Sequence, residues 1–229
     1  MSVASERALA EWRARIAAEY TSATLTQSLV LWMMQAGGPP DVIDAGLVIV
    51  SDELVHSRMS HDVYVAAGGV EAPVLRRDRL GVERREAILE ADILRTSVRS
   101  FCLGETIAVP LFRRLRERCT VPVAREALDR ILRDEVRHRD FGWDVLDWLC
   151  ATDPSVPARV TAMLPRMLAD LEASYGGKNV VISSDDGAMS DDDRAWGLAP
   201  PREYAEIFER TIDREYRPRF DARGISLAR

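Results

Sequence analysis

Apolar residues return at helical spacing in one long stretch of the chain after another. Between Ser5 and Gln35, Ala8, Trp12, Ile16, Tyr20 and Ala23 share one stripe, which Leu25, Leu29 and Trp32 extend. Gly37, Gly38, Pro39 and Pro40 combine a glycine stop with a proline start. They predict a tight turn before a second helix from Asp41 to Ala67, closed by Gly68 and Gly69. The stretch Val70–Gly81 loses the periodicity and reads as a crossover connection. A dozen extended residues at about 3.3 Å each can travel the length of a helical bundle. A third helix is predicted over Val82–Arg118, kinked near Ile107 by Pro110. Cys119 to Pro122 make the next turn, and a fourth helix runs from Val123 to Cys150.

The predicted class is therefore all-α, with residues 1–150 forming two helical hairpins joined by a long crossover. Beyond Cys150 the character changes, and residues 151–229 are expected to form a C-terminal helical extension. Its first helix opens at Asp153 and Pro154, runs to Tyr175 and bends at Pro165. Gly176–Pro201 reads as a loop with an acidic run at Asp191, Asp192 and Asp193. A last helix, Arg202–Tyr216, carries Tyr204, Ile207, Phe208, Ile212 and Tyr216 on one stripe for packing on the bundle or on a partner subunit.

Two polar interruptions in these apolar patterns carry the chemistry. Asp52-Glu53-Leu54-Val55-His56 and Asp134-Glu135-Val136-Arg137-His138 each place a glutamate and a histidine at i and i+3, on one helix face. The chain has 3 histidines, so this pattern absorbs all but one of them. Glu19 stands across the first predicted turn from Glu53 and His56, and Glu105 stands across the second from Glu135 and His138. In an antiparallel hairpin, positions equidistant from the turn come side by side, so both hairpins bring their ligands to one level. Glu19, Glu53, His56, Glu105, Glu135 and His138 are the donor set of a dinuclear centre in a four-helix bundle. Carboxylates with one imidazole per metal suit iron, with manganese as the alternative, and not the thiolate-rich sites of structural zinc. Glu53 and Glu135 are the expected bridges. A metal-bound imidazole needs an acceptor for its other N–H, and Asp52 and Asp134 are each expected to serve the histidine of the opposite hairpin.

The remaining candidates are weaker. Glu11 shares a face with Glu19 but lies too near the helix start to reach the other ligands. His61 is rotated off the ligand face, and Cys102 reads as a small core residue one turn before Glu105. Tyr20, Ala23 and Gln27 are expected to shape a pocket beside Glu19. Phe141 and Trp143 read as core, while Arg58, Arg137 and Arg139 belong on outer faces beside neighbouring acids.

Composition narrows the setting. A net charge of −6 gives no basic footprint for nucleic acid or an anionic membrane. Three cysteines without a Cys-x-x-Cys pair point to neither a disulfide framework nor a zinc ribbon, and favour a reducing cytoplasm. No signal pattern opens the chain, and no apolar run is long enough to span a bilayer.

The phrases Glu19-Tyr20-Thr21-Ser22, Asp52 to His56, Gly104-Glu105-Thr106 and Asp134 to His138 resemble the ferritin-like di-iron carboxylate superfamily. More narrowly, Gly104-Glu105-Thr106, the Trp143 that follows His138 and the late Trp196-Gly197 are similar to bacterial ferritin-like domain proteins. The resemblance covers residues 8 to 150 with specific motifs. It implies a ferritin-like four-helix bundle, two iron ions and dioxygen chemistry. The chain departs from iron-storage ferritins in its crossover and extension, and it lacks the cysteines of a rubrerythrin. The leading expectation is a non-haem di-iron oxidase or oxygenase that activates dioxygen to oxidise a small organic substrate, served by an electron donor and assembled as a homodimer. The alternatives are a ferroxidase or peroxide-scavenging iron-handling protein, and a non-enzymatic bundle stapled by metal.

Overall fold

The computed structural model describes residues 4–71, 73–76, 80–175 and 189–227. Among them all regular structure is helical. The chain opens with α1 (Glu6–Gln35), whose first turn is closed by the Ser5 hydroxyl accepting from the Ala8 amide at 3.0 Å. Gly37, at φ +71, turns the chain, and Pro40 starts α2 (Pro40–Ala66). The next long helical stretch is composite: α3 (Leu89–Thr96), a π-helical segment (Ser97–Glu105) and α4 (Thr106–Glu117). Then follow α5 (Pro122–Thr152), α6 (Val156–Tyr175), α7 (Asp191–Ala195), α8 (Pro201–Thr211), a second π segment (Ile212–Tyr216) and α9 (Arg217–Asp221).

α1 packs along α2, while α5 packs against α2, α4 and the first π segment. Two glycines permit close approaches between helices. A Cβ on Gly46 would lie 2.5 Å from a Val30 methyl, so its absence lets α1 and α2 close. A Cβ on Gly142 would lie 2.8 Å from the Cys102 amide nitrogen, so α5 meets the π segment almost backbone to backbone. The Cys102 thiol confirms the contact by donating to the Gly142 carbonyl at 3.2 Å. One continuous apolar core joins these helices to the C-terminal part, from Trp12 and Leu29 through Phe101 and Phe141 to Tyr216 and Phe220. No helix among the described residues is long and apolar enough to cross a membrane.

Three details differ from the sequence pattern. The third helix begins at Leu89, not Val82, because buried Asp92 gathers the Arg85 and Glu86 amides at 2.9 and 3.2 Å and holds the preceding chain outside the helix. Its irregularity is the π segment that ends at Glu105, upstream of the kink expected near Ile107; α4 continues as helix through Pro110. The acidic run Asp191–Asp193 is not loop but the first turn of α7, where Ser190 and Asp193 form a reciprocal capping box and carboxylates suit the helix N-terminus. The rest of the predicted loop, 176–188, lies outside the described residues.

Candidate metal centre

Each candidate ligand lies on a long helix at the level where the helices face one another. Glu19 comes from α1, Glu53 and His56 from α2, Glu105 from the end of the π segment, and Glu135 and His138 from α5. Glu19, Glu53 and His56 each offer a donor atom within 4.8 Å of the others, and Glu105, Glu135 and His138 do the same. These two buried clusters could hold metal ions. The two imidazoles lie side by side with ring centroids 5.6 Å apart, so the clusters are neighbours.

Hydrogen bonding orients both rings in the same sense. His56 Nε2 is 3.1 Å from Asp134 Oδ2, and His138 Nε2 is 3.3 Å from Asp52 Oδ2, each reaching across to the other hairpin. An ionised carboxylate can only accept, so a ring proton sits on Nε2 and Nδ1 is the atom that faces the glutamates. His56 Nδ1 is 3.7 Å from Glu53 Oε2 and 3.8 Å from Glu19 Oε2. His138 Nδ1 is 3.3 Å from Glu53 Oε1 and 3.6 Å from Glu135 Oε2. The two oxygens of Glu53 thus face different imidazoles, as a bridge requires. Ser22 fixes that carboxylate by donating to Oε1 at 2.9 Å.

The donor atoms themselves provide the test of fit. His56 Nδ1, His138 Nδ1, Glu53 Oε2 and Glu135 Oε2 are all buried without a hydrogen-bond partner. Leaving such atoms unpaired is unfavourable by about 1–3 kcal/mol each, more where charge is involved. Two donors bound about 2.1 Å from a common ion, at near-octahedral or tetrahedral angles, lie about 3.0–3.4 Å apart. The imidazole–carboxylate spacings of 3.3–3.8 Å are close to that range, and the other donors of each cluster lie within 4.8 Å of one another. The residues fit a metal pair.

Electrostatics agree. Burial, reinforced by Glu53 and Glu135, pushes the Glu19 carboxyl well above its usual range. Glu105 is raised by burial and by Glu135 and Glu53 in the same way. Glu53 is buried too, but the adjacent imidazoles of His138 and His56 bring it down to about 2. Burial works against charging His138, yet Asp52, Glu135 and Glu53 raise it strongly. Asp52 and Asp134 are held low, despite burial, by the facing histidines and by arginines.

Those arginines are Arg130 and Arg137. Arg137 donates to Asp52 Oδ2 at 2.8 Å and to Asp134 Oδ1 at 2.7 Å. Arg130 pairs with Asp134 through Nε and reaches Asp52 at 3.4 Å. Sequence reasoning placed Arg137 on an outer face beside acids, without seeing which acids, and missed Arg130. The i, i+4 spacing of Arg130 and Asp134 was the available signal.

A cavity of about 340 Å³ opens beside the clusters, and Glu19, Glu53, Glu105 and Glu135 all line it. Its walls are Glu11, Arg15, Ala18 and Ser22 of α1, Gly104, Ala108, Leu111 and Phe112, and Tyr204 of α8. Tyr20, Ala23 and Gln27 do not line it; the stripe through Glu19 runs back along positions 11, 15 and 18 instead. Glu11 stands at the cavity wall and not among the ligands. His61 is half-buried outside both clusters, and Cys102 is buried in the core. Trp196 accepts from the Trp12 indole at its carbonyl, at 2.9 Å, and anchors the end of α7 to α1.

Compared with models of known protein families, with curated protein sequences and with solved structures, the chain matches none at a significant level.

Proposed function

We propose that residues 1–150 form a ferritin-like four-helix bundle with a long crossover, that residues 151–229 are an extension packed on it, and that the protein is a non-haem di-iron oxidase or oxygenase. The observation that carries this reading is the cavity reaching all four glutamates of two clusters whose Nδ1 and Oε2 atoms are buried and unpartnered. Glu19, Glu53 and His56 would hold one ion, and Glu105, Glu135 and His138 the other. When bound, the iron pair supplies redox chemistry with dioxygen, oxidising a small organic substrate with electrons from a donor.

The chain's own residues do the rest. Asp134 and Asp52 hold the ring protons at Nε2 and aim each Nδ1 inward. Glu53 presents one oxygen to each imidazole, with Ser22 fixing its angle. Leu111, Phe112 and Tyr204 line the cavity beside the glutamates and exclude water from part of it. The carboxyls of Glu19 and Glu105, raised by burial, hold protons that metal loading must displace. The cavity is at the small end of the range of about 300–1,000 Å³ for ligand sites, which suits a small organic substrate.

The test is anaerobic loading with ferrous iron, followed by oxygen. The expected result is two ions per chain and oxygen uptake that is lost in Glu53→Ala and Glu135→Ala. Two bound ferrous ions with no oxygen consumption would sink the proposal.

A further inference from the structure

Arg15 is the one cation lining the cavity among the described residues, and its surroundings are unusual for an arginine. It is only 8% exposed. Its guanidinium lies 4.5 Å from the Trp12 ring centroid and 5.2 Å from that of Phe112, so two aromatic rings pack against it. Nη2 donates to Glu11 Oε1 at 3.1 Å, whereas Nη1 is buried with no partner. A buried charged donor without an acceptor is unfavourable until one arrives, and Arg15 combines that state with a place in the cavity wall. Arg15 is one helical turn from Glu19, about 6 Å along α1, so it stands in the cavity wall away from the level of the clustered glutamates.

We infer that Arg15 anchors the carboxylate of the substrate, and that the substrate is a small monocarboxylic acid. This rests on the oxidase reading above and names the substrate class for it. The unpartnered Nη1 of the fork donates to one carboxylate, and packing against Trp12 and Phe112 fixes its direction. Ala108, Leu111 and Phe112 then face the apolar body of the acid, whose far end reaches the glutamate-lined floor. The charge around the anchor selects a monoanion. Glu11 is already on the fork, so a phosphate dianion meets more repulsion than a carboxylate.

The test is calorimetric binding to the zinc-loaded full chain, which cannot turn over. The probes are hexanoate, its uncharged isostere hexanamide, and inorganic phosphate. Wild type is expected to bind hexanoate at least about tenfold more tightly than hexanamide, as a charge-assisted hydrogen bond implies, with phosphate weaker still. In Arg15→Gln the preference for the acid disappears while zinc stoichiometry is kept; Arg15→Lys retains part of it. Equal affinity for acid and amide, no binding of either, or phosphate as the tightest probe overturns the inference. So does an acid preference that survives in Arg15→Gln, because the carboxylate would then sit on the metal. If Arg15→Gln does not fold, Ala108→Leu in the cavity wall should lower hexanoate affinity about tenfold, and unchanged binding rejects the site. Arg15-dependent acid binding without oxygen uptake by the iron form would reject only the oxidase reading. Oxygen uptake without acid preference would reject only this one.

Discussion

Asp134→Ala removes the acceptor 3.1 Å from His56 Nε2, in a ring with no exposed surface. In the metal-free protein the loss is softened, because the imidazole can move its proton to Nδ1, toward Glu53 and Glu19 at 3.7 and 3.8 Å. With an ion on Nδ1 that escape is closed, and the Nε2–H is left buried and unpaired. The penalty therefore falls on the loaded state. A lost hydrogen bond to a charged group amounts to about 1.5–3 kcal/mol, or roughly 10–100-fold in affinity. Deletions of such outer partners of metal-binding histidines typically have effects of about the same size.

The ion held by Glu19, Glu53 and His56 should weaken by that factor, while the one at Glu105, Glu135 and His138 keeps most of its affinity. Asp52→Ala should give the mirror image through His138, whose Nε2 it faces at 3.3 Å. Anaerobic titration with ferrous iron against a chromogenic chelator resolves the two affinities. A folded Asp134→Ala protein that binds both ions as tightly as wild type would refute the reasoning, as would a loss confined to the His138 ion.

Glu53→Ala should abolish both ions and not one, since its oxygens face both imidazoles; metal analysis of the purified variant checks this. Metal removal should matter more as pH rises. Glu19, Glu105 and His138 all have folded values raised by their surroundings, so the metal-free fold binds more protons than the unfolded chain and loses stability as pH climbs through the neutral range. The loaded protein has already released those protons, so the gap in Tm between loaded and chelated samples should widen from pH 6.5 to 9, and a narrowing gap would contradict the assignment. Tyr216→Phe strips the donor that meets the Leu103 carbonyl at 2.6 Å inside the π segment. It should destabilise the fold by about 1–3 kcal/mol, read as a lower Tm, with a larger fractional loss of affinity at the Glu105 ion than at the other.

The helices and the two Glu/His clusters were legible because each rests on short-range periodicity. Glu53 with His56, and Glu135 with His138, need only i, i+3 spacing, and the symmetry about the two turns pointed to Glu19 and Glu105. The crossed pairing of Asp52 with His138 and Asp134 with His56 was also expected, from the need of each ring for an acceptor. What sequence could not deliver depends on helix rotation. The π segment changes the phase of everything around Glu105, and no 3.6-residue pattern reports it. The cavity wall was misplaced for a related reason. Tyr20, Ala23 and Gln27 adjoin Glu19 in sequence, but the direction in which the α1 face looks is set by packing against α2, where Gly46 fixes the approach. Arg15 is set apart by its burial against two aromatic rings, which no sequence spacing reports.

On the proposed metal reading, the charge distribution favours two divalent ions over one. Between the helices, four glutamates carry up to four negative charges, and the two imidazoles would be neutral with their Nδ1 atoms as ligands. Outside that shell, Asp52 and Asp134 are matched by Arg130 and Arg137, so the aspartates make no demand on the interior. The inner deficit must therefore be met at the glutamates themselves. Without metal, Glu19 and Glu105 meet it by holding protons, and His138 by holding one as well. One divalent ion would leave a second cluster with the same unpartnered Nδ1 and Oε2 atoms that the first had lost. Two ions neutralise the four carboxylates and give both orphaned sets a partner at once. The pairing of the halves also explains why the C-terminal part is tied to the π segment: Tyr216 holds the Leu103 carbonyl two residues before Glu105, the ligand on the least regular stretch of helix in the site.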